Sequence, residues 1–227
     1  SAVLLYGMSL LYGVAGSTLL SDIGAAVTIE KGAKGVGLIV VAVVFVIVGF
    51  SFKISAVPFH TWAPDTYEGA PTPVTAFLSV GSKAAGFVGL IAMVYIAFPA
   101  AHDVYQPFMW VLAALTMTVG NLLALKQTNI VRMLAYSSIS QGGFILMPLA
   151  VAGTADAAGP ALKAVVVYLL IYAATNLGAF AVVIAVARKT RSGEISSYGG
   201  LFGYAPGLAV MMTLFLASLA GIPPFGG

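Results

Sequence analysis

The chain has 227 residues, of which 60% are hydrophobic and 7% are charged, with a formal net charge of +3. Soluble domains carry about a quarter charged residues, so this composition excludes a soluble globular domain and indicates a membrane protein. A charge of this size gives no reason to expect a nucleic-acid partner. The sequence contains no cysteine, and its two histidines, His60 and His102, are too differently placed to hold a haem between paired imidazoles. We therefore expect no cofactor or metal in this chain.

Seven apolar stretches have the length of a membrane-spanning helix, which is about 20 residues. They predict an all-α polytopic membrane helix bundle that forms one transmembrane domain over residues 1–227. No stretch resembles a signal peptide, and both ends of the sequence lie inside or beside an apolar stretch, which is typical of an internal fragment truncated at both ends. The predicted spans are residues 1–20, 36–59, 74–100, 108–125, 130–152, 162–187 and 205–227.

Two of these stretches are interrupted at proline. The second breaks at residues 54–58, and the seventh breaks at residues 221–224. Interrupted helices at corresponding positions of two halves are the sequence sign of inverted repeats with a transport site between them. Proline also kinks ordinary membrane helices, so both interpretations of each break stay open on this pattern alone.

Lys53 follows an uninterrupted apolar run that starts at Val36. A helix that begins there places Lys53 about 25 Å along its axis. The side chain is then either deep in the membrane or anchored at the far interface, where long basic side chains extend to water. The break at Pro58 favours the deep position, because an interrupted helix admits polar backbone groups and water.

Lys83 lies near the middle of the third apolar stretch, with no other charge between Val74 and Ala97. An ionisable residue at that depth is costly and is usually functional. The small residues around it, Gly81, Ser82 and Ala84, leave room for a neighbouring helix or for water. We predict that Lys83 lies in the protein interior beside polar groups and exchanges a proton there.

Polar residues in and beside the other stretches leave two alternatives open. His60 follows the first break and either relays a proton or hydrogen-bonds the interrupted backbone. Asp65 and Glu68, which follow it, are expected to cap and anchor a short interfacial helix. The remaining polar side chains either join helices by hydrogen bonds or line a hydrated path. They are Ser137, Ser138, Ser140 and Gln141 on the fifth stretch, and Tyr168, Tyr172 and Asn176 on the sixth.

Several of these motifs resemble one family closely. Residues 52–73 read FKISAVPFHTWAPDTYEGAPTP, residues 127–130 read QTNI, residues 134–139 read LAYSSI and residues 220–224 read AGIPP. This pattern resembles the N subunits of proton-pumping NADH:quinone oxidoreductase, respiratory complex I, over essentially the whole chain. The Glu-Gly-Ala-Pro turn and the Ser82-Lys83 pair distinguish it from the sister L and M subunits and from related cation/proton antiporters.

The resemblance implies helices 6 to 12 of a 14-helix antiporter-like subunit. It implies that Lys53 is the lysine of broken helix 7 and Lys83 the central lysine of helix 8, which pass protons while quinone is reduced elsewhere in the complex. Many relatives have a histidine in the polar run where this sequence has Gln141, so a relay through that side chain is in doubt. The resemblance also implies M-type and K-type neighbouring subunits, no cofactor in this chain, and a bacterial inner membrane rather than an organelle membrane.

Three other classes are compatible with parts of the sequence. A subunit of a stand-alone Na⁺/H⁺ antiporter would use the same lysines. A retinal photoreceptor also needs a lysine inside a helix, but it requires a carboxylate counter-ion in the membrane, and the aspartates here fall near the ends of the stretches. A structural scaffold would explain the apolar packing but not Lys83.

Overall fold

The computed structural model describes residues 2–32 and 36–223, and nearly all of this part is helical. Within it the only β pairing is an isolated antiparallel bridge between Asn129 and Glu194. The α-helices are α1 (Ala2–Ala15), α2 (Leu20–Gly32), α3 (Val36–Lys53), α4 (Trp62–Gly69), α5 (Thr72–Phe77), α6 (Lys83–Ala92), α7 (His102–Ala124), α8 (Ile130–Leu149), α9 (Ala155–Thr190), α10 (Leu201–Tyr204) and α11 (Pro206–Leu219).

Each of the seven predicted spans contains a helix. Helices α5 and α6 are joined by a π-helical turn into one continuous helix, 72–97, which ends in a second π-helical turn. In the described part, this helix and those over 99–124 and 156–190 are long and apolar enough to cross a membrane. Helices α3 and α11 are shorter because each stops at a break, and the polar run in α8 lowers its mean hydropathy.

The first predicted span is wrong in its detail. A helix over residues 1–20 was expected, but α1 stops at Ala15 and Gly16 takes a positive φ of 65°. The chain then turns into α2, which the sequence did not predict, and the axes of the two helices differ by 72°. The bent pair together has the length and apolarity of one span.

Both predicted breaks begin with the same backbone motif. Helix α3 ends with Ser55 in the left-handed region at φ 62°, and the N–H of Ala56 donates to the carbonyl of Ser51 at 2.8 Å. Helix α11 ends in the same way, with Gly221 at φ 81° and the N–H of Ile222 donating to Ala217 at 3.0 Å. This pattern caps the last carbonyl groups of a helix. The predicted break at residues 54–58 is confirmed, and Pro224, the last residue of the other, lies outside the described residues.

The break after α3 lies between two hydrophobic clusters. Ile54 and Ala56 pack in a cluster to which α3 and α7 contribute most, whereas Val57 packs in a second cluster to which α8 and α9 contribute most. The N–H of Val57 donates to the hydroxyl of Thr116 on α7 at 3.0 Å. A polar backbone group inside the bundle is thus satisfied by a side chain from another helix.

An ion-pair cluster attaches the short helix α4 to the start of α8. Arg132 donates to Asp65 at 2.7 Å and to Glu68 at 2.8 Å. Asn129 caps α8 by accepting from the N–H groups of Val131 and Arg132. Asp65 and Glu68 therefore anchor α4 as the sequence predicted, but through Arg132, since no side chain caps the start of α4.

We expect Arg132→Gln to lower the thermal unfolding midpoint of the complete protein more than either single acid replacement, because it removes both ion pairs. Glu68 is 42% exposed and Asp65 is 72% exposed, so Glu68→Gln should destabilise more than Asp65→Asn. Each ion pair should contribute about 1 kcal/mol or less, as is usual for exposed pairs. Thermal unfolding of the purified complex in mild detergent measures this order.

Glu194→Gln is the matched control, because Glu194 is exposed and has no ion pair among the described residues. An unfolding midpoint for Arg132→Gln equal to that of this control would contradict the anchoring role.

Candidate functional site

Lys83 is buried at the start of α6, directly after the π-helical turn of residues 78–82. Its side chain is 2% exposed. The Nζ donates to the main-chain oxygen of Ser138 on α8 and to the Ser138 hydroxyl at 2.7 Å. Among the described residues, no carboxylate lies within 4.0 Å of this nitrogen. The prediction of an interior Lys83 with polar partners is confirmed.

Tyr172 on α9 extends this contact into a chain of hydrogen-bonding groups. Its hydroxyl lies 2.7 Å from the hydroxyl of Ser138 and 3.2 Å from the carbonyl oxygen of Ser79. Its ring centroid lies 5.9 Å from the Lys83 nitrogen. A phenol has one proton, so the hydroxyl of Tyr172 donates to one of these two oxygens at a time. When the hydroxyl groups of Ser138 and Tyr172 reorient, a chain of hydrogen bonds can run from Lys83 through both of them to the carbonyl of Ser79.

Asn176, one turn further along α9, anchors the other side of this group. Its amide donates to the hydroxyl of Ser79 at 2.7 Å, and that hydroxyl donates to the carbonyl of Ala76 at 2.8 Å. The Oδ1 of Asn176 is buried and has no hydrogen-bond partner among the described residues. The polar face predicted for the sixth stretch thus faces Lys83 and its partners.

Gln141 is part of a second polar group next to the first. Its amide donates to the carbonyl of Leu219 at the end of α11 at 2.7 Å, and its Oε1 accepts from the hydroxyl of Tyr168. A cavity of about 20 Å³ lies against Gln141, Tyr168 and Tyr172, with Ser218 on its far wall. This volume is sufficient for about one water molecule. The cavity lies between Tyr172, whose ring is near Lys83, and the end of α11.

Two serines of the predicted polar path lie outside these groups. Ser137 is half-buried and lines a separate cavity of about 510 Å³ that also contacts Leu125 and Leu216. Ser140 is buried against α7, where the backbone passes close to Gly120. The hydroxyl of Ser140 has no partner among the described residues. Of the four polar residues predicted on α8, Ser138 and Gln141 lie at the site.

Lys53 lies on the surface of the described part, and its depth in the membrane stays a prediction. It is the last residue of α3, and its side chain is exposed on the described part. Its Cγ lies 3.1 Å from the point where a Cβ on Gly86 would be. It lines a cavity of about 380 Å³ together with Leu4, Phe50 and Ala85. Lys53 therefore lies against α6 near Gly86 but is exposed, whereas Lys83 at the start of α6 is buried.

His60 lies within the break and is buried. Its Nδ1 has no hydrogen-bond partner of standard geometry among the described residues. No hydrogen bond links His60 to Lys53 or Lys83 in the described part, so its role as a relay stays a prediction. The described residues also contain no group of three histidine, aspartate or glutamate side chains that could hold a metal ion.

Three contributors to the site were missed in the sequence. Ser79 lies four residues before Lys83 and so on the same helix face, a spacing that could have identified it. Tyr67, on α4, is buried with its hydroxyl beside Ser138. Thr116 lies in the largely apolar helix α7. Nothing in the sequence indicates that its hydroxyl accepts from the N–H of Val57, 59 residues earlier in the chain.

Comparison with known proteins places this geometry in a family. A family model described as NADH:quinone oxidoreductase/Mrp antiporter, transmembrane, matches residues 1–227. NADH-quinone oxidoreductase subunit N of Trichlorobacter lovleyi is 47% identical over 225 residues, which cover 99% of this chain and 45% of that protein. NAD(P)H-quinone oxidoreductase subunit 2 of Thermosynechococcus vestitus is 52% identical over 228 residues, which cover 100% of this chain and 42% of that protein. The chain thus spans about half the length of these curated relatives.

Solved structures support the same assignment. A chain of respiratory complex I from Thermus thermophilus superposes with a TM-score of 0.72 and 33% identity, covering 99% of this chain and 47% of that chain. A chain of the Mrp complex from a Dietzia species superposes with a TM-score of 0.81 and 26% identity, covering 98% and 40%. The predicted all-α membrane bundle with an antiporter-like fold is confirmed. The chain belongs to the NADH:quinone oxidoreductase/Mrp antiporter transmembrane family.

Proposed function

We propose that this chain is part of a proton-translocating membrane subunit of an NADH:quinone oxidoreductase. Lys83 carries the transferred proton, and the reduction of quinone in other subunits drives the transfer. The observation that supports this function best is the burial of the Lys83 ammonium inside the bundle, beside Ser138 and Tyr172 and without a carboxylate within 4.0 Å among the described residues.

A structural role gives no reason for a lysine at this position. Moving a charged side chain into a membrane interior costs at least about 2.5 kcal/mol, and the cost is tolerated where the charge has a function. Two oxygens of Ser138 solvate the ammonium, yet a neutral residue would pack there without the cost. What lysine adds is a proton that it can bind and release.

The polar groups around Lys83 define a direction for the proton. Lys53 lies against α6 and faces an open cavity, so it is placed to deliver a proton toward the interior. On the other side of Lys83, Tyr172 borders the cavity of about 20 Å³ that reaches Gln141 and the end of α11. Proton transfer through hydrogen-bonded side chains and one water requires contacts of about 2.6–3.2 Å. The contacts of Lys83 with the Ser138 hydroxyl, at 2.7 Å, and of Tyr172 with Ser138 and Ser79, at 2.7 and 3.2 Å, lie in this range.

The proposed assembly follows the names of the relatives. We place the complete protein beside M-type and K-type membrane subunits, in the lipid bilayer of a bacterial inner membrane. NADH oxidation and quinone reduction occur in other subunits, so this chain itself binds no redox cofactor. In this proposal the transported ion is H⁺.

A subunit of a Na⁺/H⁺ antiporter is the alternative. It is favoured by the higher TM-score to the Mrp complex chain, 0.81 against 0.72. The sequence favours the oxidoreductase, since identity is 33% to the complex I chain and 26% to the Mrp chain. Purification in mild detergent separates the two, because the oxidoreductase subunit should co-purify with NADH-oxidising activity.

Replacing Lys83 by leucine in the complete protein should reduce proton translocation by at least about tenfold, because a proton-transfer group typically contributes at least a factor of 10². Lys83→Arg should not restore it, since a guanidinium keeps its proton at any accessible pH. Lys53→Leu should also lower translocation. The measurement is the initial rate of vesicle acidification in reconstituted membranes, normalised to assembled complex and to electron flow.

Lys163→Leu is the control, because Lys163 is exposed near the start of α9, nine residues before Tyr172, and the variant removes a lysine outside the site. Wild-type translocation by Lys83→Leu, with assembly intact, would refute the proposed function.

The hydroxyl groups beside Lys83 can be tested separately. Tyr172→Phe removes the contacts to Ser138 and Ser79 but leaves the ring near the Lys83 nitrogen. Ser138→Ala removes one acceptor of Lys83 but leaves the main-chain oxygen. Each single variant should therefore retain partial translocation, lowered by about threefold to tenfold. Tyr172→Phe removes hydrogen bonds between neutral groups, worth about 0.5–1.5 kcal/mol each, and Ser138→Ala removes one to the ammonium, worth about 1.5–3 kcal/mol and partly replaced.

The double variant should lose more than either single variant when translocation and electron flow are measured together. Full activity of the double variant would show that protons leave Lys83 by another route.

A further inference from the structure

Tyr67 lies on the short helix α4, between the ion pairs at the surface and the interior of the bundle. Ala63 and Tyr67 are four residues apart and share the buried face of this helix, at 1% and 2% exposure. Asp65 and Glu68 lie on the other face, where they pair with Arg132 and remain partly exposed. Helix α4 thus carries a phenol into the bundle while its charged face stays at the surface.

The buried hydroxyl of Tyr67 needs a polar partner. A phenylalanine would fill the same space, and burying a hydroxyl group without a hydrogen bond is costly, so buried tyrosines usually pair theirs. The hydroxyl lies beside that of Ser138 on α8. The phenol groups of Tyr67 and Tyr172 are also close enough to interact electrostatically. Ser138 therefore has tyrosine hydroxyl groups next to it from two helices, α4 and α9, in addition to Lys83.

The backbone of Tyr67 is held from two sides. The hydroxyl of Thr75 on α5 is fully buried and donates to the main-chain oxygen of Tyr67 at 2.8 Å. On the surface side, the ion pairs of Arg132 attach α4 to α8, six residues before Ser138. These two attachments fix the position of Tyr67 relative to Ser138.

The hydroxyl of Ser138 can use a donor from Tyr67 when Lys83 is charged. A serine hydroxyl has one proton and two acceptor lone pairs. One lone pair accepts from the Lys83 ammonium at 2.7 Å. The proton can then point to Tyr172, which lies 2.7 Å away and donates in turn to the carbonyl of Ser79. The second lone pair of Ser138 is left for Tyr67.

The same donor is needed when Lys83 is neutral. A neutral amine has a lone pair, so the Ser138 hydroxyl can donate to Nζ instead of accepting from it. Both lone pairs of Ser138 are then open to donors, and Tyr67 and Tyr172 each fill one. Tyr67 donates to Ser138 in both arrangements, whereas Tyr172 reverses its role. Each hydroxyl keeps its own proton, and only the directions of the hydrogen bonds change.

We propose that Tyr67 is a positioning residue for proton exchange at Lys83, acting as a permanent donor to the Ser138 hydroxyl. Hydrogen bonds in a chain polarise one another, so a hydroxyl that accepts from Tyr67 becomes a better donor toward the neutral amine. The bond from Tyr67 thereby favours release of the proton from Lys83. The inference deepens the proposed function and rests on it, and Tyr67 itself carries no proton along the path.

The test starts from Tyr67→Phe in the complete protein within its membrane complex, because this change keeps the ring and removes only the hydroxyl. Proton translocation, normalised to assembled complex and to electron flow, should fall by about twofold to tenfold, the factor that one hydrogen bond between neutral groups contributes. In a Ser138→Ala background, Tyr67→Phe should cause no further loss, because the hydroxyl on which it acts is gone. A purely structural role of Tyr67 would instead lower translocation by the same factor in both backgrounds.

Tyr198→Phe is the matched control, because Tyr198 packs against the same hydrophobic cluster as Tyr67 but lies in the short 3₁₀ helix before α10. It should translocate like the parent protein. Parental translocation by Tyr67→Phe would overturn the inference, and so would equal losses with and without the Ser138 hydroxyl. Lys83→Leu is measured alongside. If it loses translocation while Tyr67→Phe does not, the inference fails and the proposed function stands; if Lys83→Leu translocates normally, the proposed function itself fails.

A second readout does not depend on activity or on the assembly of any variant. High-resolution electron cryomicroscopy of the parent complex should place the phenol oxygen of Tyr67 within about 3 Å of the Ser138 hydroxyl oxygen, as a hydrogen bond between hydroxyl groups requires. A separation of more than about 3.5 Å, or a water molecule between the two oxygens, would overturn the proposal.

Discussion

The ammonium of Lys83 has to be solvated by the protein, because it lies inside an apolar bundle where bulk water does not reach. Two oxygens of Ser138, the face of the Tyr172 ring and the backbone around the break surround it. Each of these groups is a neutral dipole or a π system. A carboxylate would bind the ammonium more tightly, but it would also hold the proton. Under the proposed function, solvation by neutral groups lets the lysine both bind and release a proton.

The broken helix α3 contributes to this solvation through the carbonyl group of Ile54, which has no backbone donor. Proline at position 58 removes the donor that would satisfy Ile54, and the left-handed Ser55 turns the chain away from the helix axis. The same sequence relation is present at the end of α11, where Pro224 follows Ala220 by four residues. At the first break this relation leaves the buried carbonyl of Ile54 without a backbone donor. The packing of Ile54 and Val57 into separate hydrophobic clusters holds the first break rigid.

The sequence was sufficient for the helical class, the break after α3 and the burial of Lys83, because each has a local signal. Apolar stretches of membrane length, prolines within them and an isolated charge can be read without knowing any contact. Contacts between distant segments could not be read. The bond from Val57 to Thr116 and the fit of Gly142 against Ile54 depend on how helices pack. For Lys53 the pattern gives the distance along α3 but not the direction in which the side chain points, and on the described part it points outward.

Gln141 illustrates how a side chain without a titratable group can connect helices in a polar path. Its amide nitrogen donates to Leu219 and its oxygen accepts from Tyr168, so it joins α8, α9 and the end of α11 at one point. A neutral imidazole could form the same donor and acceptor pair, which makes glutamine a replacement that preserves the geometry. Glutamine cannot bind a proton at accessible pH. Under the proposed function, a proton leaving Lys83 must therefore pass Gln141 through the adjoining cavity that Tyr172 and Ser218 line, and not through the side chain itself.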